Sequence, residues 1–490
     1  MSLRETHDGL TRARPAAVGV DAGRIESFLD DVEAAGLSLH TLALHRRGHV
    51  AAEISWWPYR VDGPRVMHSV AKSFTACAIG LALEEKRFAL TDRVVSFFPD
   101  HLPDAVDGRL AAMTVEDLLT MRTGHAEETS GSRWRSLQTS WIGAFFKIPV
   151  VHQPGTVYTY TSAASYMLSA ILTRATGLTL HDYLQPRLFA PLGITGETWA
   201  VGPDGINPGG NGLTCTTLDI LKLGALHAQR GVWNGRRILP ESWVSEATRA
   251  HSAGGYGYHW VSAPNGTYAA LGVFAQIVVV FPQYEATLAL TAAVNGSQAC
   301  ERHMLPIVYR HFPAAFHDDV REDREAEGHL DGRARQAASV APLVSLAEPA
   351  PDRAGALTYS MQQNALGITG LRLDLASDQC TLHLTDADGQ HAVEMGIGRW
   401  IESETSVPGR DLHHGYDLRP ARLVAGARWL DPQTLQMSWL FIETAFRDTV
   451  VCHFNGDSIS VSRRVNVNSG RLSHPELIGQ RLRSASGVRT

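Results

Sequence analysis

Lysine is almost missing from this chain: 490 residues carry four lysines against forty arginines. With Lys72, Lys86, Lys147 and Lys222 as the only side-chain amines, each can be weighed singly as a chemical group. Cysteine is sparse too. The five thiols, Cys77, Cys215, Cys300, Cys380 and Cys452, form no Cys-x-x-Cys pair and no compact framework, which excludes a disulfide scaffold and points to reduced, buried thiols. No apolar run is long enough to span a bilayer, and the first eight residues lack a charged segment leading into an apolar stretch. The reading is a cytoplasmic protein with no membrane partner. Excess positive charge is also absent. A formal net charge of −6 and a pI near 6.4 leave no general attraction for nucleic acid. What remains is an ordinary globular composition, 44% hydrophobic and 19% charged, in a chain longer than the usual single domain, so at least two domains are expected.

Ser69-Val70-Ala71-Lys72 is the one Ser-x-x-Lys in the chain, and it opens an apolar, helix-like run. Residues three apart on a helix share a face, so a hydroxyl at 69 and an amine at 72 come within reach of each other. A serine hydroxyl is a weak nucleophile alone, but a lysine kept neutral by desolvation accepts its proton as the oxygen attacks a carbonyl. Phe74, Cys77, Ala78 and Leu81 follow at helical spacing. That pattern buries the segment in the core and leaves its N-terminal N–H groups to meet an oxyanion. The competing reading is an N-cap serine with a solvated lysine one turn on.

The surrounding text decides between them. His68-Ser69-Val70-Ala71-Lys72-Ser73-Phe74 is followed by Leu90-Thr91-Asp92-Arg93-Val94 and by Thr114-Val115-Glu116-Asp117-Leu118-Leu119-Thr120-Met121-Arg122-Thr123-Gly124-His125. Pro154-Gly155-Thr156-Val157-Tyr158-Thr159-Tyr160, Leu188-Phe189-Ala190-Pro191-Leu192-Gly193-Ile194, and Gly209-Gly210-Asn211-Gly212-Leu213 with Asp219 and Gly224 come next. In this order, over roughly residues 15–312, the chain resembles the serine β-lactamase and penicillin-binding-protein superfamily. It is most similar to its class C-like esterases, D-aminopeptidases and aminohexanoate-oligomer hydrolases. The resemblance implies Ser69 as nucleophile, Lys72 as its partner and Tyr160 as the tyrosine of the Tyr-x-Asn motif. A phenol there shuttles a proton, as base in the attack and acid toward the leaving group, where nearby cations favour its phenolate. The alternative for Tyr160 is a core tyrosine clustered with Tyr158 and Tyr166.

Two departures carry information. Thr161-Ser162 follows Tyr160, so Ser162 puts a hydroxyl where many relatives carry an asparagine amide. The third family motif, Lys-Thr-Gly or His-x-Gly on a strand, falls on Ala270-Leu271-Gly272, without the cation. A cation there helps relatives hold a substrate carboxylate, and alanine cannot. Ser162, Ala270 and Gly272 are therefore candidate substrate-binding positions for a substrate lacking that carboxylate. The N–H of Val273 is expected to join that of Ser69 as an oxyanion hole. His259, in Tyr256-Gly257-Tyr258-His259-Trp260, is a candidate to line the cleft and offset the missing cation.

The expected architecture is α/β (α+β). A β-lactamase-like antiparallel sheet flanked by helices, with a helical subdomain, occupies 1–313; a charged, Pro/Ala-rich linker 314–355 follows; then come a small all-β barrel or sandwich over 356–475 and a tail over 476–490. Helices are predicted near 22–35 and 302–312, and a helix-rich region from Ser69 to about Gly231 includes helices near 163–175 and 217–230. In the third region, strand-like runs alternate with turn chemistry such as Asp386-Ala387-Asp388-Gly389 and Asn455-Gly456-Asp457. His413-His414 with Asp411 and Asp417 matches no zinc spacing and reads as a polar loop, and Trp400, Trp429 and Trp439 read as packing residues. No metal and no cofactor are expected. The reaction implied is acyl-enzyme hydrolysis of a small-molecule or short-peptide ester or amide. Acyl transfer or peptide cyclisation through the same intermediate is one alternative, and a catalytically weak binding or regulatory protein is another.

Overall fold

The computed structural model describes residues 8–128, 134, 137–252, 254–296, 298, 300–346, 354–415 and 420–482. The first seven residues, Asp417 and much of the 127–141 loop thus lie outside the described residues. The chain forms two compact units. One runs through Ala292 and resumes from Gln298 to Ala337; the other holds 293–297 and the chain from Ala338 onward.

The first unit is built on a seven-stranded sheet. Its strands are β1 (Thr11–Arg12), β2 (Ser38–Arg46), β3 (His49–Ser55), β4 (Val261–Ser262), β5 (Tyr268–Gly272), β6 (Gln276–Phe281) and β7 (Ala286–Ala293), in the order β1-β3-β2-β7-β6-β5-β4. β1 runs parallel to β3, while β2–β3, β6–β7, β5–β6 and β4–β5 pair antiparallel. The central strands β6 and β7 are buried along their whole length, which explains why Gln-Ile-Val-Val-Val-Phe is a nearly continuous apolar run and not an alternating one.

Helices α1 (Ala22–Ala34), α2 (Ala71–Glu84), α3 (Ser162–Thr176) and α4 (Thr217–Ala228) surround this sheet. Every residue of α2 from Ala71 to Gly80 is buried, so this helix is enclosed on all sides, and it packs against α3 in the helical region. α4 lies over β6 and β2. Its capping box, Thr216 with Asp219, starts it sharply, and Gly224 lets it approach the sheet: a Cβ there would stand 2.5 Å from Thr287 Cγ2 and 2.6 Å from Val278 Cγ1.

The 314–355 stretch, expected to be a linker, is in part a helix of the first unit, α5 (Arg324–Ala337). Its charges are ion-pair partners and not solvated spacer. Arg333 pairs with Asp30 and, at 2.6 Å, with Glu33 on α1; buried Glu327 holds Arg14 at 2.5 Å.

The second unit is a closed β-barrel. Its strands are β8 (Gly355–Met361), β9 (Gly370–Leu375), β10 (Gln379–Asp386), β11 (Gly389–Ile397), β12 (Ile401–Thr405), β13 (Ala421–Asp431), β14 (Thr434–Phe441), β15 (Arg447–Asn455), β16 (Ser458–Val465) and β17 (Leu477–Arg481). They follow the order β11-β10-β9-β8-β17-β16-β15-β14-β13-β12, and pairing of Gly396 with Gly426 and Ile397 with Ala427 joins β11 to β13. Alternation is clean: Cys380, Leu382, Leu384 and Asp386 of β10 point inward.

Three expectations change here. The tail assigned to 476–490 contains β17, which pairs with both β8 and β16; it is short and holds Gly479, where a Cβ would stand 2.6 Å from Met361 Sδ. His413 is not in a polar loop. It is buried, 2.8 Å from Asp448 Oδ1 and stacked on Phe446, while Arg463 meets the other Asp448 oxygen at 2.6 Å. Trp429 and Trp439 are buried packing residues, whereas Trp400 is half-buried and donates from Nε1 to the Ala341 carbonyl at 2.7 Å.

The contact at Gly224 is testable. Gly224→Ala should destabilise the first unit by about 1–3 kcal/mol, because the neighbouring atoms are methyl groups fixed on strands and cannot swing away. A urea midpoint equal to wild type would show that the helix shifts off the sheet freely.

Candidate active site

Ser69 lies in a single 3-10 turn, His68–Val70, that leads directly into α2. The serine is half-buried, whereas its neighbours His68 and Val70 are buried, so its hydroxyl is reachable at the protein surface. Lys72 follows in the first turn of α2 and is 2% exposed, which sets aside the solvated-lysine reading. Its Nζ lies 3.1 Å from Ser69 Oγ, 3.1 Å from Ser162 Oγ and 2.9 Å from the carbonyl oxygen of Gly210. Gly210 is glycine for a reason visible at this contact: a Cβ there would stand 3.2 Å from Lys72 Nζ and 3.1 Å from the Ser162 Cβ. Beside it, Thr75 Oγ1 donates to the Gly209 carbonyl at 2.7 Å and so ties the 209–210 backbone to α2.

Tyr160 arrives from a loop that Met121 holds, the Thr159 N–H donating to the Met121 carbonyl at 2.9 Å. Thr161 then caps α3, its side chain accepting from the Ala163 N–H, and Ser162 is the first helical residue. The Tyr160 ring centre is 4.8 Å from Lys72 Nζ, and its hydroxyl hydrogen-bonds Ser69. Burial pushes the phenol well above its ordinary range and outweighs the opposing Ser69 hydrogen bond. Tyr160 is therefore a neutral phenol at neutral pH and not the phenolate expected. Its aromatic partner also differs from expectation. Tyr160 packs edge-on against Tyr256, ring centres 6.2 Å apart, and Tyr158 packs on the same Tyr256. Tyr166 faces Trp134 and Trp141 instead, donating to Asp204 Oδ2 at 2.6 Å.

Ala270 and Gly272 lie on β5, opposite Val278 and Gln276 of β6. This end of the strand packs against the 3-10 turn that carries Ser69, and a Cβ on Gly272 would stand 2.8 Å from the Met67 carbonyl oxygen. Only glycine permits that approach. Val273 opens the turn to β6, which bends through left-handed backbone at Phe274 (φ 69°) and Ala275 (φ 70°). The Ala275 N–H donates to the Gly272 carbonyl at 3.1 Å.

His259 does not stand in for the missing cation. It is 3% exposed, and burial holds its imidazole neutral, well below the usual histidine range. Its Nε2 lies 3.1 Å from Ser165 Oγ, its Nδ1 3.4 Å from the Tyr256 hydroxyl, and its backbone carbonyl accepts from Ser73 Oγ at 2.8 Å. Ser73, Ser165 and Tyr256 are not residues that the sequence motifs single out. The available signal is register: Ser73 follows Lys72 directly, and Ser165 lies one helical turn past Ser162. Among the described residues no group of three or more His, Cys, Asp or Glu is placed to hold a metal ion, and no helix is long and apolar enough to cross a membrane.

A mixed sheet, a buried core helix led in by Ser-x-x-Lys and a tyrosine facing both side chains define a class. The Beta-lactamase family model matches residues 25–307, and the chain belongs to that family, whose members are serine hydrolases. Among curated relatives, the 6-aminohexanoate-dimer hydrolase of Paenarthrobacter ureafaciens is 21% identical over 272 residues, 50% of this chain and 69% of that protein. The lovastatin esterase of Penicillium rubens is 25% identical over 199 residues, 36% of this chain and 49% of that protein. Among solved structures, a candidate β-lactamase from Bacteroides dorei superposes with a TM-score of 0.52 at 17% identity, covering 60% of this chain and 99% of that one. These matches show the fold and the family.

Burial at this core has a consequence for pH. It holds His45, His125 and His227 down to about 4, against an ordinary 6.5, and His259 well below its ordinary range. The unfolded chain therefore binds protons that the folded chain refuses, and stability falls as pH drops below about 6.5. The urea midpoint of the first unit should decrease between about pH 7 and pH 5. A flat midpoint across it would contradict neutral, buried histidines.

Proposed function

We propose that this protein hydrolyses an ester or amide through an acyl-enzyme on Ser69. The observation that carries the reading is the 3.1 Å approach of a buried lysine nitrogen to the oxygen of a half-buried serine. A neutral amine has two N–H bonds and one lone pair. With the N–H bonds donated to the Gly210 carbonyl and Ser162 Oγ, the lone pair faces the Ser69 hydroxyl, the arrangement a general base requires.

In the first half-reaction the Ser69 oxygen bonds to the carbonyl carbon while its proton passes to Lys72 Nζ. The carbonyl π pair becomes an oxyanion, held by the backbone N–H groups of Ser69 and Val273. As the bond to the leaving group breaks, that group takes a proton from the Tyr160 phenol, which Lys72 reprotonates. Burial keeps Tyr160 protonated, which suits it to the acid role and leaves the base role to Lys72. Water then attacks the acyl carbon, releases the acid and returns the proton to Ser69.

Ala270 supplies no cation for a substrate carboxylate, so we assign the site to small molecules or short peptides that carry no carboxylate there. A 6-aminohexanoate-dimer hydrolase and a lovastatin esterase among the relatives support amide and ester chemistry as the class.

Intact-mass analysis after fluorophosphonate exposure tests the nucleophile. One adduct is expected on the wild type and none on Ser69→Ala, with turnover of p-nitrophenyl acetate falling at least about 10³-fold. Tyr160→Phe should lower kcat about 10²-fold. Labelling and turnover that survive Ser69→Ala would refute the reading, and product formed only in the presence of an added amine or alcohol would make the protein a transferase.

A further inference from the structure

We propose that His259 is the positioning residue of this site, a buried clamp that fixes Lys72, Ser162 and Tyr160 relative to one another through three separate hydrogen bonds. The inference rests on the acyl-enzyme reading above.

Three contacts of His259 each end one step from a proposed catalytic group. Its carbonyl accepts from Ser73, whose backbone is continuous with Lys72 on α2. Its Nε2 lies against Ser165, which shares a face of α3 with Ser162, the partner of Lys72 Nζ. Its Nδ1 faces the hydroxyl of Tyr256, whose ring stands edge-on against Tyr160. One residue thus ties α2, which carries the amine, to α3, which the phenol precedes, and to the segment before β4. Rigid links of this kind matter because a misplacement of about 1 Å lowers turnover by about 10²-fold.

The backbone supports the same assignment. His259 has φ 60°, in the left-handed region that glycine tolerates best and that asparagine, aspartate and histidine enter more often than other residues with a Cβ. A glycine would satisfy that dihedral without strain but would make neither side-chain contact. A strained residue held at a buried position next to reacting groups is the pattern expected when surrounding contacts require its side chain. The imidazole is suited to this place because, neutral, it offers one donor and one acceptor on opposite sides of a rigid ring, bridging a serine and a tyrosine with no added charge beside Lys72.

The test compares His259→Leu, His259→Asn, Ser165→Ala and Tyr256→Phe in the full chain. Thermal melts are taken first, followed by p-nitrophenyl acetate kinetics and the rate of fluorophosphonate labelling. Leucine should lower kcat at least about tenfold with KM within about twofold. Asparagine, which accepts the left-handed backbone and keeps a polar atom near Nδ1, should recover most of that loss. Ser165→Ala and Tyr256→Phe leave the His259 backbone untouched, so they decide the matter should the leucine variant not fold. Each should lower kcat about three- to tenfold at an unchanged melting temperature. Values of kcat within twofold of wild type in both, with Ser69 still labelled in the wild type, would overturn the positioning role alone. Absence of a Ser69 adduct and of turnover in the wild type would instead overturn the acyl-enzyme reading and this inference with it.

Discussion

The constraint on which the site depends is a lysine nitrogen held out of water among three oxygens. Those oxygens come from three places: Ser69 one turn earlier, Ser162 at the start of α3, and the carbonyl of Gly210. An amine this deeply buried needs partners in every direction, since an unsatisfied buried polar group costs about 1–3 kcal/mol. Much of the local chain follows from meeting that demand. The Gly209-Gly210 pair is free of side chains so that a carbonyl can enter, Thr75 pins that backbone to α2, and Thr161 starts α3 with Ser162 facing the amine. The Ser162 hydroxyl is one of the partners that meet that demand.

The third motif shows the opposite balance. Losing the cation at Ala270 removes a side chain, but the features that place β5 beside the Ser69 turn are backbone features and survive. Gly272 still permits contact with the Met67 carbonyl, and the turn that follows keeps its left-handed residues. Chemistry that depends on main-chain N–H groups is therefore insulated from side-chain change, whereas substrate charge selection is not. The buried imidazole of His259 does not reverse that change, because desolvation keeps it neutral and it returns no positive charge to the site.

The parts legible in the sequence are those governed by local period or spacing. The apolar runs of β6 and β7, the helical register after Ser69 and the turn chemistry of the barrel hairpins each rest on neighbours within a few residues. The parts that are not legible depend on tertiary partners. Charges in α5 look like linker because nothing local reveals that Arg333 meets Asp30 and Glu33 some 300 residues away. β17 is five residues with a central glycine, too short for periodicity, and is a strand only because β8 and β16 flank it. Likewise, proximity along the chain groups Tyr160 with Tyr166, while its actual neighbour, Tyr256, comes from a different segment.

Twelve described residues other than glycine have left-handed dihedrals, and five of them, His68, Met121, His259, Phe274 and Ala275, adjoin a group with a proposed chemical role. His68 precedes Ser69, Met121 holds the segment that delivers Tyr160, and Phe274 and Ala275 follow Val273. Such conformations are disfavoured by about 1 kcal/mol or more apiece and persist only where packing over-determines them. The buried all-round helix α2 and the fully buried strands β6 and β7 provide that packing. The rigidity of the core is thus what allows left-handed backbone at its edge.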